Sequence, residues 1–148
     1  MPLQDQINQE IKAAMLAKDA ARLSTLRLLK SALVYFQIEK KQESLGDAEV
    51  ISMVQKEIKK RRDSIEQYQA AGRVEQAAHE TAEITVLETF LPKALPAEDL
   101  EALVRATITE VGATSKKEMG AVIKAVQAKA AGRADGKSIS TLVGKLLP

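Results

Sequence analysis

Aliphatic residues recur at every third or fourth position from Leu3 to Leu147, broken only at turn signals. That rhythm buries one face of an α-helix and suits no half-buried strand, which needs a period of two. No segment alternates apolar and polar residues in the strand pattern. Aromatic residues make up only 3% of the chain, against 45% hydrophobic residues in all, so the core must be built from Leu, Ile, Val, Ala and Met. Such a core favours helix packed on helix over a sandwich or barrel. The expected fold class is therefore all-α. A chain of 148 residues is long enough for one compact unit or two small helical units.

The pattern divides into seven helices. The first, over about 3 to 18, carries Leu3, Ile7, Ile11, Met15 and Leu16 at helical spacing. Asp19 is the expected N-cap of the second, because its carboxylate can accept from unpaired backbone N–H groups. This helix reaches about residue 42 with Leu23, Leu26, Leu29, Leu33 and Phe36 in register. Leu28, Val34, Tyr35 and Ile38 widen its apolar face, which predicts that two neighbours cover this helix. Gly46 supplies a turn, Asp47 opens a third helix over Val50, Val54, Ile58 and Ile65, and Gly72 closes it as a left-handed C-cap. A fourth helix runs from about 74 to 90. Leu91-Pro92-Lys93-Ala94-Leu95-Pro96 follows, the strongest candidate boundary in the chain. Beyond it, helices are expected at about 97–111, 115–131 and 135–147. Ser115 and Glu118 read as a capping box, and Asp135 as a cap.

Several kinds of chemistry lack their residues. With no cysteine there is no disulfide, no thiol nucleophile and no zinc-thiolate site. His79 is the only histidine. It shares a helix face with Glu83, but a metal needs three or four converging ligands, so no metal or other cofactor is expected. The seven glycines form no phosphate loop and no dinucleotide fingerprint. Nor do they offer an oxyanion-stabilising loop for amide hydrolysis. Ser115 is explained by capping rather than by a Ser-Lys pair with Lys116. The isolated chain is thus not expected to be a catalyst. The N-terminal residues lack a secretory pattern and no apolar run approaches a membrane span, so a cytoplasmic protein without membrane contact is expected.

Charge is unevenly distributed. Residues 1–92 hold 13 Lys and Arg against 14 Asp and Glu, whereas residues 93–148 hold 9 against 6. Two clusters result. Lys56, Lys59, Lys60, Arg61 and Arg62 crowd one helix, with Glu57, Asp63 and Glu66 among them. Lys116, Lys117, Lys124, Lys129, Arg133, Lys137 and Lys145 are less neutralised by sequence neighbours. A basic face of this kind can follow a phosphate backbone. No aromatic residue interleaves with either cluster, so base stacking is not indicated.

Lys59-Lys60-Arg61-Arg62-Asp63-Ser64-Ile65-Glu66-Gln67-Tyr68, then Ala71-Gly72-Arg73, then Glu80 and Glu83, then Phe90-Leu91-Pro92 resembles the signature of the YqeY family. Arg27-Leu28-Leu29-Lys30-Ser31-Ala32 resembles its early segment, and Met119-Gly120 the opening of its penultimate helix. Phe90 stands where the family usually has Tyr. The resemblance spans nearly the whole chain. It implies two packed helical domains: a four-helix N-terminal unit, residues 1–92, and a three-helix C-terminal unit, residues 93–148. It also implies kinship with the C-terminal, tRNA-contacting tail of the GatB amidotransferase subunit. YqeY proteins commonly carry the label of a carbon–nitrogen ligase with glutamine as amido-N-donor, but fold kinship does not transfer chemistry when the site is absent.

The motif residues Arg61, Ser64, Tyr68, Gly72, Arg73, Glu80, Glu83, Leu91, Pro92, Met119 and Gly120 have structural readings. Arg61 and Arg73 can pair with Glu80 or Glu83, locking the third helix to the fourth, and Gly120 can admit a close helix contact. The function expected is a non-catalytic module that binds tRNA or another structured RNA. The contacts would come from Lys116, Lys117, Lys124, Lys129, Arg133 and Lys137, with Lys59, Lys60, Arg61 and Arg62 as the second set. The alternative is an accessory that docks on an amidotransferase or aminoacylation protein.

Overall fold

A computed structural model describes residues 1–148. It is all-helical, with seven α-helices and no strand: α1 (Leu3–Leu16), α2 (Ala20–Glu39), α3 (Asp47–Ala70), α4 (Val74–Glu88), α5 (Ala97–Val111), α6 (Met119–Ala130) and α7 (Gly136–Leu146). A 3-10 turn over Lys116–Glu118 precedes α6. The chain divides into two compact units, Met1–Leu91 and Pro92–Pro148.

In the first unit, α3 and α4 form the most extensive helix pair, and α2 packs on α1, α3 and α4. Leu26, Leu29 and Leu33 of α2 meet Val50, Val54 and Leu87, all fully buried. Each such side chain gains about 1.5–3 kcal/mol from leaving water. The caps are specific. Asp19 accepts from the Arg22 N–H at 3.1 Å. Glu49 accepts from the Gly46 N–H at 3.2 Å. Asp47, the first residue of α3, accepts from the Leu3 N–H at 2.9 Å and so ties the start of α1 to the start of α3. Gly72 has φ +73°, the left-handed conformation that side chains resist.

Three apolar assignments differ from the sequence pattern. In α1 the buried stripe is Ile7, Ile11 and Ala14, while Met15 and Leu16 are exposed, Leu16 by 86%. The stripe steps by four and then three, and Met15 and Leu16 sit past its edge where the helix ends. Helix α2 does have several neighbours, α1, α3 and α4, but they cover the side that carries Leu26, Leu29 and Leu33, and Leu28, Val34, Tyr35 and Ile38 are left exposed. Leu45, in the α2–α3 connection, is buried instead, and its N–H donates to the Gln4 side chain at 3.0 Å.

The second unit packs α5, α6 and α7 around Leu100, Val104, Val122, Val126, Ile139 and Val143. Gly112 ends α5 with φ +75°. Asp135 caps α7, accepting from the Ser138 N–H at 2.7 Å. The capping box at Ser115 does not form. Ser115 makes no side-chain cap bond, and Glu118 accepts instead from the Thr114 N–H at 3.1 Å, so a 3-10 turn leads into α6 at Met119. Gly120 is exposed, and a Cβ there would meet nothing within 4 Å, so it does not serve a close helix contact. The close approach lies at Gly144 on α7, where an added Cβ would stand 3.3 Å from Met119 Cε.

Candidate nucleic-acid interface

The motif residues on α3 and α4 converge on one ionic cluster. Arg61 is 8% exposed and Glu57, one turn earlier, is equally buried. Arg61 Nε donates to Glu83 Oε2 at 2.7 Å, and Nη1 donates to Glu57 Oε2 and to the Glu57 carbonyl, each at 3.0 Å. Lys60 Nζ reaches Glu57 Oε1 at 3.3 Å, and His79 Nε2 lies 3.4 Å from Glu83 Oε1 at the solvent edge. Burial is the largest single influence on Arg61 and works against its charge. The hydrogen bonds and charges of Glu83 and Glu57 outweigh it together and hold the guanidinium pKa above its ordinary value.

This cluster is a joint between helices. The surface hollow beside Phe36 and Met53 (230 Å³) and the one along α2 beside Leu28 (340 Å³) are lined by none of Glu57, Arg61 and Glu83. No three of the His, Asp or Glu side chains are grouped as metal ligands. Every buried side-chain polar atom has a hydrogen-bond partner. Arg61 therefore leaves the candidate phosphate-contacting set, because its guanidinium is directed at two carboxylates inside the unit.

The other motif residues divide between backbone and packing roles. Ser64 Oγ donates to the Lys60 carbonyl at 3.1 Å. The Tyr68 carbonyl accepts from the Arg73 N–H at 2.8 Å, which together with Gly72 turns the chain from α3 into α4. Arg73 is the exposed N-cap residue of α4 and pairs with neither Glu80 nor Glu83. Glu80 is half-buried without an ion pair. Leu91 packs on the first core, Pro92 is exposed, and Met119 packs on the second core. Glu57 was missed as a member of the cluster. Its place between Val54 and Ile58, four residues before Arg61, was the available signal.

The two basic sets differ in how far the fold neutralises them. In the first, Lys60 is paired with Glu57, Arg61 is buried, and Arg62 lies 3.8 Å from Glu88, leaving Lys56 and Lys59 exposed without an ion pair. In the second unit the signs separate by element. Helix α5 holds Glu98, Asp99, Glu101 and Glu110 against Arg105, whereas α6 and α7 hold no acid at all. The remaining acids, Glu118 and Asp135, are used as caps. Lys129 pairs with Glu110. Arg133 closes the linker, its Nε donating to the Lys93 carbonyl at 3.0 Å while its own carbonyl accepts from the Leu95 N–H at 2.8 Å. Lys116, Lys117, Lys124 and Lys145 are exposed and carry no ion pair, and Lys137 is exposed on the first turn of α7.

The family model described as Yqey-like protein matches residues 4–147. Among curated proteins, the chain is 32% identical over 108 residues to the mitochondrial protein "Altered inheritance of mitochondria protein 41" of Kluyveromyces lactis. That match covers 71% of this chain and 58% of the relative. The protein of the same name in Lachancea thermotolerans is 31% identical over 108 residues, covering 71% of this chain and 57% of the relative. An uncharacterised protein of Schizosaccharomyces pombe is 32% identical over 91 residues, covering 62% and 73%. The chain thus spans somewhat over half the length of the mitochondrial relatives it matches.

Proposed function

The chain belongs to the YqeY family, and from that premise we propose that it is a non-catalytic RNA-binding module whose phosphate contacts come from the second unit. The observation that carries this reading is the separation of charge between elements. Lysines without ion pairs sit on the 3-10 turn, α6 and α7, whose only acid, Glu118, is engaged by a backbone N–H. Cationic side chains in such a setting can displace the counterions condensed on a nucleic acid, a large source of binding free energy. Structured RNA is recognised mainly by shape and by phosphate and 2′-hydroxyl contacts, which suits a rigid helical surface without exposed aromatic rings in its basic set. A tRNA is the RNA class that the GatB resemblance favours.

The test is binding of a tRNA pool to the nuclease-treated chain, measured by fluorescence anisotropy across a salt series. The logarithm of the affinity should fall linearly with the logarithm of salt concentration. When Lys116, Lys117 and Lys124 are changed to Glu, the slope should shrink by roughly one unit for each phosphate that is no longer neutralised. An RNA affinity that is absent or insensitive to salt would end this reading.

A further inference from the structure

Helix α2 is apolar on two opposite sides. Leu26, Leu29 and Leu33 enter the core of the first unit, while Leu28, Val34, Tyr35 and Ile38 form a second stripe that is 51%, 42%, 74% and 71% exposed. At 100° per residue these four fall on one face around Ser31, within a span of about 120°. Single exposed apolar residues are ordinary, but a stripe sustained over three turns is not. The four side chains leave roughly 500 Å² of mainly apolar surface uncovered, the scale at which a patch marks an interaction site.

We propose that this face of α2 is a homodimer interface, in which the helix packs antiparallel against α2 of a second copy. The layout of the face is self-complementary. Its apolar residues centre near Val34, so a two-fold axis there brings Val34 and Tyr35 of the two copies together and sets Leu28 of one at the level of Ile38 of the other. Charge selects this direction over the parallel one. Arg27 and Lys30 are exposed without ion pairs, and α2 has no acid before Glu39 at its last position. A parallel pair would set Arg27 and Lys30 beside their own copies. The antiparallel pair moves the two Arg27 residues about 20 Å apart along the axis, well beyond the screening length. Lys40 does not disturb this arrangement, because its ammonium lies over the Phe36 ring, 5.7 Å from the centroid, on the far side of the helix. Two such faces, with the Ser24, Arg27 and Ser31 side chains that lie among the apolar ones, would bury roughly 1,000–1,200 Å² in total, the low end for specific association, so the dimer is a weak one.

Sedimentation equilibrium of the nuclease-treated full chain, from about 1 μM to about 500 μM, should show a monomer–dimer equilibrium. Changing Tyr35 and Ile38 together to Ser should weaken it more than about 30-fold, with helix content unchanged by circular dichroism, because both side chains are exposed. The chain has no cysteine, so single introduced thiols report the geometry without background. Val34→Cys should cross-link to its own copy on mild oxidation, and Ser24→Cys, some 28 Å from its copy in the antiparallel pair, should not. A chain that stays monomeric over the whole range overturns the proposal. So does a dimer that ignores the Tyr35 and Ile38 changes, or one that cross-links through Ser24→Cys and not Val34→Cys.

Discussion

Arg61 and Glu83 are 22 residues apart in the chain, yet Nε and Oε2 meet at 2.7 Å across α3 and α4. The same guanidinium holds Glu57 on its own helix, so one cation satisfies two carboxylates that are each about nine-tenths removed from solvent. The arrangement explains why these polar residues sit inside an otherwise aliphatic unit. Taking one ion out of water costs several kcal/mol, and a shared hydrogen-bonded partner offsets that cost only while the geometry holds.

Arg61→Ala should therefore destabilise the chain by about 3–5 kcal/mol in urea unfolding, since it strands two buried carboxylates. Arg61→Lys should lose less, keeping the charge but not the fork that reaches both partners. Replacing Glu57, Arg61 and Glu83 together by Met, Leu and Met should restore stability to the original level or above it. Because the Arg61 pKa is raised above the ordinary guanidinium value, its stabilising contribution is fully present at every pH below that ordinary value and is lost only as pH rises through the still higher folded value. Stability differences traced to Arg61 should accordingly stay flat between pH 7 and pH 10.

Two glycines should respond to alanine with opposite signs. At Gly72 there is room for a Cβ, but φ is +73°, so Gly72→Ala should cost about 1–2 kcal/mol from backbone strain alone. Gly120 lies in helical backbone with nothing within 4 Å of a Cβ, so Gly120→Ala should stabilise by about 0.5–1 kcal/mol. Thermal denaturation of the two variants checks both signs. A third position, Gly144, should tolerate alanine only if Met119 yields, because Cε stands 3.3 Å away.

The helices were legible because their signals are local. Asp19, Asp135 and Gly72 act through backbone groups within a few residues, and the structure shows those caps where the sequence placed them. Which face of a helix is covered depends on neighbours far away in the chain. Leu16 and Tyr35 are as apolar as Ile7 and Leu33, yet they lie in water. Ala14, whose small side chain gave little signal, is buried. The ionic cluster was half legible: charge pairing suggested Arg61 with Glu83, but only the packing of α4 on α3 shows that Glu57 joins them and that Arg73 does not. Within the basic sets, sequence spacing could not reveal that Arg61 is buried or that Lys129 is neutralised by Glu110.

Core and surface on α1 can be separated by substitution. Leu16→Ser should change stability by no more than about 0.5 kcal/mol, because the side chain is 86% exposed. Ala14→Leu should cost about 1–3 kcal/mol by forcing extra methylenes into the packed interface around Ile7 and Ile11. Equal effects at the two positions would mean that α1 packs through a different face.

The two basic clusters make a matched comparison for RNA binding. Lys56 and Lys59 keep their charge without a partner in the first unit, as Lys116, Lys117 and Lys124 do in the second. The first pair lies beside Lys60, Arg61 and Arg62, all engaged by carboxylates, so the surrounding field is already largely compensated. The second group sits on elements whose only acid is the capping Glu118. Reversal of Lys116, Lys117 and Lys124 to Glu should weaken binding to all tRNA sequences alike and flatten the salt dependence, since phosphate contacts position a protein without reading bases. Reversal of Lys56 and Lys59 should have a clearly smaller effect on both quantities. Helix content should be unchanged in either variant, because all five side chains are exposed and lie off the buried stripes. If the first reversal leaves affinity intact while the second abolishes it, the phosphate contacts belong to α3, and the charge separation within α5, α6 and α7 serves some other partner.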